Sequence, residues 1–143
     1  MSPDIGKLRA DAAKGNREAR INLGLCYLMG WQMPQNIARG WELLRAAEPE
    51  NAPRLLYIEG VCLAKGIGRP LNERSARAFF RLAAEQGFGP AEYNYAAFCF
   101  EGRGGPCDAA AAALYFARAE EHGIEAARPW RKAATECLPA PQP

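Results

Sequence analysis

Histidine is nearly absent from this chain: His122 is the single one in 143 residues. Most hydrolase and metal chemistry needs an imidazole beside a nucleophile or beside further ligands. His122 also has a plain structural reading, because it falls in the last turn of a predicted helix, where a cation is favourable. The cysteines form no ligand pattern. Cys26, Cys62, Cys99, Cys107 and Cys137 make an odd number with no Cys-x-x-Cys spacing, so free thiols are expected and no zinc site. Long apolar runs are missing, and no stretch approaches the roughly 18 residues of a membrane span. The first residues lack the apolar core of a secretory signal, which predicts a cytoplasmic chain. Charge of one sign is missing too. The net charge is +2, with arginine interleaved among the acids, which argues against nucleic acid and against a polybasic membrane anchor. These absences predict no enzyme activity, no catalytic residues, no metal, no cofactor and no small-molecule substrate.

What is present is repetition. A step of 36 residues carries Gly30 to Gly66 and Gly102, and Asn36 to Asn72 and Asp108. The same step joins Gly40, Ala76 and Ala112; Leu43, Phe79 and Tyr115; Ala47, Ala83 and Ala119; and Asn51, Gly87 and Gly123. Small, turn-forming and aromatic positions in one ungapped register indicate a repeat architecture.

Each unit reads as two helices. In the first, helix A spans about Arg17 to Met29, with Ala19, Leu23 and Tyr27 four residues apart on one face. Gly30 stops it. A loop ending in Pro34, Pro70 or Pro106 follows. Asn36, Asn72 and Asp108 then stand where an N-cap is wanted. Helix B carries Ala76, Phe79, Ala83 and Ala84 in the second unit and ends at Gly87. One hairpin cannot bury both of its faces, so copies must stack. The expectation is an all-α, right-handed α/α superhelix of about eight helices. A single domain, 1–138, holds repeats near 16–51, 52–87 and 88–123, with capping helices near 4–14 and 124–137. A disordered tail, 139–143, follows the proline-rich end.

These residues resemble the Sel1-like repeat family, a relative of the tetratricopeptide repeat. The first unit contributes Ala19, Leu23-Gly24, Tyr27, Gly30 and Asn36. The second contributes Gly66-x-Gly68, Asn72, Ala76, Phe79 and Ala83-Ala84-Glu85-Gln86-Gly87. The third contributes Ala91, Gly102-x-Gly104, Asp108, Ala112, Tyr115 and Ala119. The resemblance covers roughly Ala12 to Ala127. It implies the solenoid fold and leaves the partner open. Two departures stand out: Glu59 replaces a leucine of the pattern, and Glu48-Pro49-Glu50-Asn51-Ala52-Pro53 replaces a small-residue turn.

The candidate binding face comes from helix A. At 100° per residue Ile21, Leu25 and Leu28 lie opposite Leu23. Their equivalents are Tyr57, Val61 and Ala64, then Tyr93, Ala97 and Phe100. This row is expected to point away from each hairpin's own core and to line a concave groove for a protein or peptide partner. Alternatively, curvature or the caps bury it. Asn22 and Asn94 are equivalent positions that either clamp a peptide backbone or bond to a neighbouring helix. Glu59 is either a functional acid or the partner of an arginine. Trp31 either covers an edge or meets a partner, whereas Trp41 and Trp130 are expected in the core. Gly102-Arg103-Gly104-Gly105 is a connector, since it lacks the Lys-Ser or Lys-Thr of a phosphate loop. The functional expectation is a protein-interaction scaffold or adaptor. The alternative is a stoichiometric inhibitor or immunity-type protein for one enzyme.

Overall fold

Helices A begin at Arg17, Pro53 and Gly89, and helices B at Ile37, Glu73 and Ala109, so every repeat restarts after 36 residues. The computed structural model describes residues 4–140 and contains, among them, eight α-helices and no strand. They are α1 (Ile5–Ala13), α2 (Arg17–Met29), α3 (Ile37–Ala47), α4 (Pro53–Lys65), α5 (Glu73–Glu85), α6 (Gly89–Glu101), α7 (Ala109–Glu121) and α8 (Ala127–Glu136). Pro139 and Ala140 carry no regular structure; Pro141, Gln142 and Pro143 of the expected tail lie outside the described residues.

The three helices B start for one physical reason. The side-chain oxygens of Asn36, Asn72 and Asp108 accept from the amides of Arg39, Ser75 and Ala111 at 3.0, 3.0 and 2.9 Å. Each satisfies a donor that the helix itself cannot. Helix α3 ends two residues earlier in the register than α5 and α7. Pro49 explains this: it forces Glu48 into extended backbone (φ −125°, ψ 146°). The turn that follows needs one left-handed residue, and Asn51 (φ 64°) supplies it where the next repeats use Gly87 and Gly123. Pro53 then occupies the first position of α4, where a proline costs no hydrogen bond.

The chain divides into two compact units, Met1–Leu55 and Leu56–Pro143, with the division inside α4. In the first, α2 packs against both α1 and α3. Gly24 and Gly40 let α2 and α3 approach: a Cβ on Gly40 would lie 2.8 Å from Leu28 Cγ and 2.9 Å from the Gly24 carbonyl oxygen. Glu48 accepts from Arg17 at 2.5 Å and stands 3.6 Å from Arg54. In the second unit α6 packs between α5 and α7, and α8 closes on α7. There Phe80 takes the register position of Leu44, and its ring sits against Gly60, where a Cβ would come within 2.7 Å. Phe80 and Phe116 are each 1% exposed, a burial that contributes about 1.5–3 kcal/mol per ring. Phe80 meets Phe98 edge-on at 5.2 Å.

Candidate functional site

The helix-A row does not form the continuous exposed surface expected of it. Ile21 (2% exposed) and Leu28 (0%) belong to the core, and Leu25 is half-buried; only Asn22 of that group is exposed. In the second unit Tyr57 packs against Phe80 at 5.8 Å and Phe88 at 5.4 Å. Tyr93 and Phe100 both meet Phe116 edge-on, at 5.6 and 6.5 Å. Phe80 and Phe116 are helix-B residues of the same hairpins. The aromatic members of the row, Tyr57, Tyr93 and Phe100, therefore pack on their own hairpins, which corrects the direction expected for them. Helical periodicity fixes the angle between two faces of a helix; it does not say which face meets the partner helix, and here both faces are apolar. Trp130 departs from expectation as well: it is 46% exposed, with its edge against Phe100 at 6.2 Å. Trp41 is buried, and Trp31 is exposed.

Part of the row does come together. Val61 and Ala64 of α4 and Asn94, Ala97 and Phe98 of α6 line a concavity of about 190 Å³, with Phe80 at its floor and Lys65 and Arg103 at its rim. Burial pushes the Tyr57 hydroxyl above its ordinary pKa, and the nearby Asn94 amide works against that shift. Arg103 is fixed from three sides. Its guanidinium lies 4.2 Å over the Phe98 ring, its Nε donates to Glu73 at 2.5 Å, and its carbonyl accepts from Arg77 at 3.2 Å. Stacking on an aromatic face and pairing with a carboxylate suit the planar guanidinium.

Lys65, Phe98 and Arg103 were not legible as site residues. Lys65 closes α4, and Arg103 lies in the loop after α6, which the sequence marks as a connector. Their shared rim exists only because α4 and α6 lie side by side. Glu59 resolves as an ion pair with Arg69 at 2.7 Å. His122 caps α7 and contacts the buried Glu92, a carboxylate on which the sequence reading placed no weight.

The lining is apolar, amide and cationic, and it holds no nucleophile–base pair. Among the described residues no cluster of three His, Cys, Asp or Glu side chains stands ready for a metal ion. Nor is any described helix long and apolar enough to cross a membrane. Such a lining suits recognition of apolar side chains accompanied by negative charge.

Similarity to known proteins agrees with this hairpin geometry. A Sel1 repeat protein from Oxalobacter formigenes superposes with a TM-score of 0.67 at 27% identity, over 91% of this chain and 98% of that one. The protective antigen c5321 of uropathogenic Escherichia coli, which displays an SLR fold, superposes with a TM-score of 0.65 at 28% identity. That match covers 86% of this chain and 26% of the antigen. No curated protein matches at a significant level. The Sel1 repeat itself matches at residues 17–48, 60–88 and 89–124, one match for each A–B pair of helices, and the chain belongs to the Sel1 repeat family.

Proposed function

We propose that this protein is an adaptor that binds a partner protein or peptide on the α4–α6 face of its second unit. Sel1 repeats generally mediate protein–protein interaction and are typically non-enzymatic. The observation that carries the reading is the concavity between Val61 and Ala97: apolar side chains, an amide at Asn94, and Lys65 beside Arg103, whose guanidinium Glu73 already engages. A partner segment with apolar side chains and a carboxylate complements it. Apolar anchors that leave water supply affinity, while the rim charges orient and select. The row expected from sequence contributes Val61, Asn94 and Ala97 to this surface directly. Tyr57, Tyr93 and Phe100 support it from behind, through their packing on helix B.

Affinity capture from the source cells with quantitative mass spectrometry tests the reading. Wild type is compared with Ala97→Arg and with Lys65→Glu, each checked for an unchanged melting temperature. Partners captured by wild type should be depleted by both variants. Undiminished capture by both would reject the α4–α6 face. A single dominant stoichiometric partner would redirect the reading from an adaptor to an inhibitor.

A further inference from the structure

The repeat register exposes a difference between two clefts that occupy the same place two repeats apart. In the second unit, the cleft between α5 and α7 over α6 is filled by Tyr95 and Tyr115, whose rings meet edge-on with centroids 5.0 Å apart. Beside them Arg81 pairs with Glu85 at 2.7 Å. Seventy-two residues earlier, two repeat steps, the same four positions hold Leu23, Leu43, Arg9 and Ala13. Ala12 and its equivalent Ala84 are both buried, while Tyr27 and Arg20 stand where the second unit has Cys99 and Glu92. So the first unit lacks two things at this cleft. It lacks the aromatic pair, and it lacks the carboxylate one turn after the arginine.

The consequence is visible between α1 and α3 over α2. A cavity of about 470 Å³ opens there, with Leu23, Tyr27 and Leu43 in its lining and Arg9, Arg20 and Arg39 around it. Glu42 is the one carboxylate in the lining, and it is engaged by Arg39 at 3.0 Å. Arg20 is held at the edge, where its Nε donates to the Ala12 carbonyl at 3.2 Å. Protein interiors close-pack, and an open apolar recess leaves its lining without contact partners on one side. Three arginines against one glutamate make the recess attractive to an anion, and an arginine fork matches a carboxylate.

We infer that the α1–α3 cleft docks a partner segment that presents an aromatic side chain next to an acidic residue. The aromatic ring takes the volume that Tyr95 and Tyr115 fill in the second unit. The acid takes the place of Glu85, facing Arg9. This surface is separate from the α4–α6 face, and neither reading depends on the other.

The probe is a fluorescein-labelled peptide, Gly-Glu-Phe-Glu-Gly, with two controls: Ala in place of Phe, and Lys in place of both Glu. Anisotropy with the full chain gives the affinity, and methyl NMR locates the contact. The Phe peptide should shift the methyl signals of Leu23 and Leu43, and either control should bind at least about tenfold more weakly. The combined variant Ala13→Glu, Leu23→Tyr, Tyr27→Cys, Leu43→Tyr places the second unit's residues at these positions and should lose binding by a similar factor while staying folded. Arg9 and Arg39 are exposed, so Arg9→Glu with Arg39→Glu gives a second variant that does not rely on repacking and should also lose binding. Three results would overturn the inference: equal binding of the Ala peptide, shifts confined to Val61 and Ala97, or unchanged affinity in the arginine variant.

Discussion

His122 Nδ1 lies 2.6 Å from Oε1 of Glu92, a carboxylate whose side chain is 1% exposed. The pair ties the end of α7 to the first turn of α6. Nδ1 and Oε1 stand within hydrogen-bond distance of each other. A buried polar group stripped of its partner is costly. His122→Ala should therefore lower stability by about 1–3 kcal/mol, a range reduced by the half-exposed imidazole. Glu92→Gln should cost less, because its amide oxygen still accepts. Urea midpoints at an unchanged m-value check both. A neutral His122→Ala would show that the contact adds nothing.

Tyr93 and Phe100 press on Phe116 inside their own hairpin. Tyr93→Ala and Phe100→Ala should each lower stability by about 1–3 kcal/mol, below the loss for a fully buried ring because both are part-exposed. Thermal melts decide this. If both variants melt like wild type, the two rings are surface anchors after all.

Gly104 and Gly123 separate the cost of backbone conformation from the cost of contact. Both have positive φ, 70° and 92°. A Cβ on Gly104 would lie 2.3 Å from the Glu73 carbonyl oxygen, while one on Gly123 would meet nothing within 4 Å. Gly123→Ala should cost about 1 kcal/mol, the left-handed penalty alone. Gly104→Ala should cost more than about 2 kcal/mol, because backbone must move as well. Equal losses would mean that the loop after α6 is not seated on the start of α5.

The thiols divide by burial. Cys107 and Cys137 are exposed, and Cys26, Cys62 and Cys99 are buried. Ellman's reagent should titrate two thiols in the folded protein and five in denaturant. Burial first, and then the nearby Glu59, push the Cys62 thiol up to about 11 from its ordinary 9.0. Burial and a hydrogen bond with Cys99 push Tyr95 up to about 12 from 10.0. The unfolded chain releases both protons first. The stability these groups contribute is thus whole below about pH 9 and falls as pH rises through the folded values. The urea midpoint should decline from about pH 9 upward to about pH 11, less steeply in Cys62→Ala. A flat profile would contradict the buried, neutral thiol.

Much of the fold was legible because it is local and repeated. Asn36, Asn72 and Asp108 cap helices wherever they occur, since the oxygen that accepts the orphan amide belongs to the same turn. The site was less legible. Val61, Asn94 and Ala97 were identified by equivalence between repeats with Leu25 and Asn22, but Ile21 and Leu28, which share that row in the first repeat, are core.

By itself the sequence determined the 36-residue period, the helix starts and stops, and the family, because each depends on neighbours a few residues apart. Only the tertiary structure decided which apolar face of helix A is covered, that Arg103 stacks on Phe98 beside Lys65, and that Leu23 and Leu43 leave open what Tyr95 and Tyr115 fill. Those are questions of volume and direction between helices. A periodic pattern shows that two faces are apolar; only packing shows which of them is left without a partner.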